Sequence, residues 1–184
     1  MRKDRIRVDI VVPVYNEAGV IDQTHARICK ILDDLPHDFK LIYVDDGSSD
    51  GTVDTLRKMA DNDPRISLLE LSRNFGQQAA LSAGMDASLG EVVITMDGDG
   101  QHPPELISQM IDLVKQGYDI VQTQRLEDDR GMSFKKWSSR LFYRLINVVS
   151  GTRILEGAAD FRALSRDALD GLRYLRGHPL ARSL

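Results

Sequence analysis

Asp97 and Asp99 stand one residue apart at the end of the apolar run Val92-Val93-Ile94-Thr95-Met96, and Gly100-Gln101-His102-Pro103-Pro104 follows them. Two carboxylates at a strand end can reach a divalent cation and a ribose together, and hard oxygen donors suit Mg²⁺ or Mn²⁺. Gly98 and Gly100 permit a tight turn that brings backbone close to a ligand. In isolation, a turn closed by an Asx hydrogen bond explains Asp-x-Asp as well, and His102 reads as a loop hydrogen-bonder rather than a metal ligand. The weight therefore falls on what accompanies the pair. A second acidic cluster, Asp45-Asp46-Gly47-Ser48-Ser49-Asp50-Gly51-Thr52, also ends an apolar run. Ser49 or Asp50 is expected to cap the following helix. That leaves Asp45 and Asp46 free to accept hydrogen bonds from a nucleobase or ribose. Asn16 and Glu17 form a third cluster after the first apolar run.

The elements that must position these groups follow from periodicity. Apolar runs rich in Val, Ile and Leu at Ile6 to Val14, Phe39 to Val44, Ile66 to Leu71, Glu91 to Met96 and Asp119 to Thr123 predict strands. Helical spacing predicts helices between them: Val20 to Leu35, about Asp50 to Asp61, Gln77 to Ser88 and Pro104 to Gln116. Alternating helices and near-continuous apolar strands imply an α/β fold with a mostly parallel, doubly wound sheet and helices on both faces. Ligands of such sheets bind beyond the carboxyl ends of the strands, where all three acidic clusters fall.

The 184 residues support one core, and 42% hydrophobic with 28% charged residues describes a globular chain. A net charge of -4 gives no global attraction to nucleic acid, and none is expected as a partner. Cys29 is the single cysteine and falls on an apolar helix face, which predicts a buried structural thiol and a reducing, cytoplasmic compartment. The basic start of Arg2, Lys3, Arg5 and Arg7 is not read as a signal peptide, because Asp9, Pro13, Asn16 and Glu17 interrupt the apolar run and no small-residue cleavage site follows. No run of about 18 apolar residues is present. A phosphoryl receiver has no use for an Asp-x-Asp after the fourth strand, and a dinucleotide dehydrogenase would need a Gly-x-Gly-x-x-Gly after the first.

Five motifs in order then carry a resemblance: Pro13-Val14-Tyr15-Asn16-Glu17, Val44 to Thr52, Arg73-Asn74-Phe75-Gly76, Asp97 to Glu105, and Ala159-Asp160-Phe161-Arg162. In order and spacing they resemble the family 2 glycosyltransferases of GT-A fold. The branch that looks most similar is the polyprenyl-phosphate glycosyltransferases, which include dolichol-phosphate mannose synthase and bactoprenol glucosyl transferases. The resemblance implies an inverting, metal-dependent transfer of a hexose from a nucleotide-diphosphate sugar to a polyprenyl phosphate at a membrane surface. It implies nucleotide contacts from Pro13, Tyr15 and Glu17, with Asp45 and Asp46 on the base. Asp97, Asp99 and Gln101 match the residues that hold Mg²⁺ or Mn²⁺ and the donor diphosphate, with Asp99 also catalytic. Arg125 matches a phosphate-binding arginine, and Asp160, followed by Arg162, matches the acidic residue proposed as catalytic base.

The resemblance also divides the single domain, with residues 1–125 holding nucleotide and metal and residues 126–184 presenting the acceptor. Relatives continue beyond such a half into a further catalytic stretch and two membrane helices, so 126–184 is expected to be incomplete. Between Arg130 and Arg153 there are six basic residues and no acidic one. Phe134, Trp137, Leu141, Leu145 and Val148 recur there at helical spacing, with Lys136, Arg140 and Arg144 on another face, which suits a lipid phosphate and a membrane interface. Gln124 to Ser133 is the longest polar connection in this half and reads as a loop over the site. Two departures stand out: Ala159 replaces a usual Gly and would be strained if its φ were positive, and Gly100 replaces a usual Leu. A non-catalytic nucleotide-sugar-binding module and a transferase acting on a saccharide hydroxyl are the alternative readings. The sequence leaves the oligomeric state open.

Overall fold

The structure, a computed structural model, describes residues 5–124 and 158–177. Five predicted strands form within one or two residues of expectation: β1 (Arg7–Val14), β2 (Asp38–Asp45), β3 (Ile66–Glu70), β4 (Val92–Thr95) and β5 (Ile120–Gln124). The predicted helices form as α1 (Ile21–Asp33), α2 (Thr52–Asn62), α3 (Gln77–Ala87) and α4 (Ile107–Lys115), the last preceded by a single 3₁₀ turn at Pro104–Leu106. Two elements were not anticipated, β6 (Ala158–Ser165) and α5 (Arg166–Gly177). The sheet order is β3-β2-β1-β4-β6-β5. β1 pairs in parallel with β2 and β4, β2 with β3, and β6 runs antiparallel to β4. By contacts the chain falls into two compact units, Met1–Val121 with Asp160–Leu184, and Gln122–Ala159.

The central strands β1, β2 and β4 are largely apolar because the sheet is covered on both sides. On one face Ala80 and Leu81 of α3 and Leu169 of α5 pack on Val11, Ile42, Val44 and Val93. Side chains alternate along a strand, so Tyr43 points to the other face, where its hydroxyl shares a 3.0 Å hydrogen bond with His25 of α1. Cys29 lies one turn further along α1, its sulfur 3.5 Å from the same imidazole, half-buried, and burial pushes the thiol pKa up. The thiol expected to be buried is thus only half-buried. One charge sits inside β1: Asp9 is fully buried, accepts hydrogen bonds from the backbone of Leu89 and Gly90 at 2.6 and 2.9 Å, and pairs with Arg7 at 2.9 Å.

The approach of α3 to the sheet depends on Gly84. A β-carbon there would collide with Val11 Cγ1 and lie 2.9 Å from Val44 Cγ2. Gly84→Ala is therefore expected to lower stability by about 1–3 kcal/mol through overpacking. A urea melt would show this as a lower midpoint at unchanged slope; an unaltered midpoint would mean that α3 shifts freely on the sheet.

Candidate functional site

Strand polarity gathers the acidic clusters. In the parallel register Val14 lies opposite Asp45 and Val11 opposite Thr95, so β1, β2 and β4 end at one edge of the sheet. The chain leaves β1 toward β2 and β3, then crosses to β4 on the other flank, which makes the β1–β4 junction the switch point where such sheets bind ligands. β6 runs the opposite way, so its first residues reach the same edge: Thr95 pairs with Arg162, and the Thr95 hydroxyl donates to the Asp160 carbonyl at 2.6 Å. At this edge lies a cleft of about 290 Å³, lined by Pro13, Tyr15, Glu17, Asp46, Asp97 and Asp99 together with Val14, Asn74, Gly76, Gln77 and Gly98.

Polar side chains stitch the first two loops together. Asn16, at φ 55, is the one non-glycine residue with positive φ among the described residues, a conformation that Asn tolerates. Its backbone N–H donates to Ser48 Oγ at 2.9 Å, and its side-chain oxygen accepts from Ser49 N–H at 2.9 Å. Glu17 N–H donates to Thr52 Oγ1 and Ala18 N–H to Asp50 Oδ2, at 2.9 and 3.1 Å. The residue flanking α2 is Gly51, at φ 95, rather than Ser49 or Asp50. Asp50 instead accepts from Thr52 N–H at 3.1 Å from two residues away, and the Thr52 hydroxyl bonded to it lowers its pKa.

The two aspartates after β2 do different work. Asp45 Oδ2 accepts from Gly47 and Ser48 N–H, both at 3.0 Å, while its Oδ1 is buried without a hydrogen-bond partner, and the residue does not line the cleft. Asp46 does line it, and its two oxygens accept from Phe75 N–H at 2.7 Å and Gly76 N–H at 2.9 Å. A β-carbon on Gly47 would stand 2.6 Å from the Arg73 carbonyl carbon, so these loops are pressed together backbone to backbone.

After β4, Asp99 accepts from Gln101 N–H at 2.9 Å, the Asx bond expected of such a turn. The Asp97 N–H donates to His102 Nδ1 at 3.0 Å, and the imidazole stacks on Phe161 with ring centres 5.2 Å apart. His102 is thus a structural hydrogen-bonder, as expected. Asp160 accepts from Arg162 at 2.6 Å on one oxygen and from the side-chain amides of Gln77 and Gln78 at 3.2 and 3.3 Å on the other. Ala159 lies inside β6, in extended backbone that needs no glycine, so the strain expected there does not arise. Arg125 and Arg140, with the basic stretch around them, lie outside the described residues. Asn74, Gln77 and Gln78 were missed by sequence reasoning, although Gln77 directly follows the Arg73-Asn74-Phe75-Gly76 motif that singles out this turn.

The cleft is acidic, and no Lys, Arg or His is among its lining residues that the structure describes. Burial raises the pKa of Glu17, and the charges of Asp99, Asp50 and Asp97 raise it further. Burial likewise raises that of Asp97, with Asp99 and Asp160 adding to it against the opposing pull of His102. Carboxylates that repel one another in this way favour a bound cation. Among the described residues no three of His, Cys, Asp and Glu are grouped so as to hold a metal by themselves. That arrangement suits an ion such as Mg²⁺, which takes one or two carboxylates and completes its shell with substrate phosphates and water. The residues present therefore fit a divalent cation that binds together with a diphosphate.

The comparisons agree with this geometry. The uncharacterized glycosyltransferase YkcC of Bacillus subtilis (strain 168) is 38% identical over 97% of this chain and 56% of its own length. The bactoprenol glucosyl transferase of Shigella phage SfX is 32% identical over 92% of this chain and 55% of its own. The chain thus spans about half the length of these curated relatives. Among solved structures, the mannosyltransferase PcManGT from Pyrobaculum calidifontis, in complex with GDP-Man and Mn²⁺, matches with a TM-score of 0.65 at 26% identity, over 93% of this chain and 48% of that one. Glucosyl-3-phosphoglycerate synthase from Mycobacterium tuberculosis shares the fold, with a TM-score of 0.64 at 19% identity over 90% of this chain and 58% of that one. The fold is GT-A, a mixed, mostly parallel sheet between helices. Residues 9–173 match the family described as glycosyl transferase family 2, and with its acidic strand-end cleft at the switch point the chain belongs to that family.

Proposed function

We propose that this chain forms the donor-binding part of an enzyme that moves a hexose, with inversion, from a nucleotide-diphosphate sugar to a polyprenyl phosphate at the cytoplasmic face of a membrane. The observation that carries the donor half is the cleft at the β1–β4 switch point, which holds Glu17, Asp46, Asp97 and Asp99 with no cationic side chain among its described lining residues. The acceptor half rests on relatives: the bactoprenol glucosyl transferase above, and an undecaprenyl-phosphate 4-deoxy-4-formamido-L-arabinose transferase of Pseudomonas syringae, 35% identical over 90% of this chain. No helix among the described residues is long and apolar enough to cross a membrane.

On this reading Pro13, Tyr15 and Glu17 flank the nucleoside, and Asp46 fixes the loop at Phe75 and Gly76 against it. Asp97 and Asp99, with Gln101, would hold Mg²⁺ or Mn²⁺ together with the donor diphosphate. When bound, the ion offsets the charge that develops on the departing nucleoside diphosphate. An acceptor phosphate oxygen attacks the sugar's anomeric carbon from the face opposite the diphosphate. The new C–O bond forms as the old one breaks, its electron pair leaves on the nucleoside diphosphate, and a single displacement inverts the centre. An alkyl phosphate with a second pKa of about 6 is already mostly dianionic at neutral pH, so the attack needs no strong base. Asp160, with both oxygens occupied by Arg162, Gln77 and Gln78, is suited to orienting the acceptor side rather than to taking a proton. Arg125, Arg140 and Arg162 supply positive charge for phosphates in this proposal.

The test is a panel of nucleotide sugars with Mn²⁺, offered a short polyprenyl phosphate and, separately, a free saccharide. Transfer to the lipid phosphate alone is expected. Transfer to the saccharide alone would replace the acceptor, and donor binding with neither product would reduce the chain to a nucleotide-sugar-binding module.

A further inference from the structure

Gln77 opens α3 directly after Gly76, and its side-chain nitrogen lies 2.7 Å from Asp97 Oδ1 and 3.2 Å from Asp160 Oδ2. A primary amide has two hydrogens to donate, so one side chain reaches two carboxylates carried by different strands. Asp97 follows β4 and Asp160 lies near the start of the neighbouring antiparallel β6. No other described side chain is hydrogen-bonded to both: His102 approaches only Asp97, and Gln78 and Arg162 bond only Asp160. We propose that Gln77 is a positioning residue that clamps the metal-side carboxylate to the acceptor-side carboxylate at one spacing. The inference rests on the roles given above to Asp97 and Asp160.

The chemistry of the amide explains why glutamine suits this position. Lysine or arginine would tie the two carboxylates at least as firmly, but would neutralise charge that the cation needs. Glutamate would keep the size and lose the donors, adding a like charge beside Asp97 and Asp160. A neutral double donor is the side chain that joins two anions while leaving their charge for a third party. The clamp reaches the site from the start of a rigid helix whose preceding residue, Gly76, is itself bonded to Asp46. It therefore links the loop after β2, the loop after β4 and the start of β6.

The experiment compares wild type, Gln77→Leu and Gln77→Glu in the full chain. Mn²⁺ binding in the presence of a nucleoside diphosphate is followed by the loss of the free-ion paramagnetic resonance signal, alongside kcat, donor KM and Tm. Gln77→Leu should lose about 10²-fold in kcat, as misplaced reacting groups do, with a smaller change in donor KM. Its Mn²⁺ affinity should stay near that of wild type, because no charge is altered. Gln77→Glu should bind Mn²⁺ several-fold tighter, since affinity for hard cations rises with ligand charge, and yet turn over no faster than the leucine variant. A purely packing role would lower Tm and weaken Mn²⁺ binding in both variants alike, and that result overturns the proposal, as does full kcat in Gln77→Leu. If wild type binds no Mn²⁺ with the nucleotide, the donor-site reading itself fails and the clamp falls with it. If wild type binds but the two variants do not diverge, the clamp alone fails.

Discussion

Replacing Asp99 by alanine is expected to abolish the Mn²⁺ dependence of donor binding and to lower transfer by about 10²–10³-fold, the range seen when one preorganised charge-stabilising contact is removed. Asp99 is the residue to test first because little of the fold leans on it. Among the described residues its side chain accepts a 2.9 Å hydrogen bond from Gln101 N–H within its own turn, and it is only partly buried. Asp97 is a less clean target, since its oxygens face Gln77 at 2.7 Å and His102 at 3.6 Å and its removal would disturb both. Asp99→Ala should therefore melt close to wild type while calorimetry shows a nucleotide sugar binding equally weakly with and without Mn²⁺. Equal affinity with and without the ion in wild type as well would remove the metal from the mechanism. The neighbouring carboxylates add a second signature. Asp99 is among the charges that raise the pKa values of Glu17 and Asp97, so its loss should move both back toward the ordinary carboxylate range.

What the sequence showed and what it concealed divide along physical lines. The strands β1, β2 and β4 announce themselves because a sheet covered on both faces needs unbroken apolar runs, and the acidic residues that interrupt such runs mark the edge where the site is. Glu17, Asp46, Asp97 and Asp99 were legible for that reason, Pro13 and Tyr15 through the family resemblance, and all six line one cleft. β6 was not. Ala158 to Ser165 carries two charges in eight residues, and the alternation of buried Phe161 and Ala163 with Asp160 and Arg162 is too short to stand out. Gly171 inside α5 hid that helix in the same way. Asp45 shows a different limit. Adjacent residues at a strand end point to opposite faces, so a paired Asp-Asp cannot be assumed to meet one ligand; here Asp45 turns into its own loop while Asp46 reaches across to the next. Gln77 and Gln78 carry no signal by type, because an amide at a helix start is ordinary until the structure shows which carboxylates stand opposite it.

Asp46→Ala should be the most damaging substitution to fold and site together. The carboxylate is 3% exposed, and it is the acceptor for both Phe75 and Gly76 N–H. Alanine would leave Phe75 N–H without its acceptor, at about 1–3 kcal/mol, and Gly76 N–H with only its 3.0 Å bond to Asn74 Oδ1. The loss would propagate along the chain, because Gly76 precedes α3 and Gln77 is the next residue. Donor binding should fall even if the nucleotide never touches Asp46, since Asn74, Gly76 and Gln77 line the same cleft. Asp46→Asn separates the two contributions. The amide keeps one oxygen acceptor and turns the other position into a donor facing a backbone N–H, so it should be destabilised by less than alanine while the loop is still displaced. If Asp46 served the base alone, Asp46→Asn would change the preference among nucleotide bases at unchanged stability. If it serves the loop, urea midpoint and donor affinity should fall together for every base tested, in the order wild type, Asn, Ala. The two short bonds to Phe75 and Gly76 favour the second outcome, in which nucleotide recognition at this edge is built on backbone that a buried carboxylate holds in place.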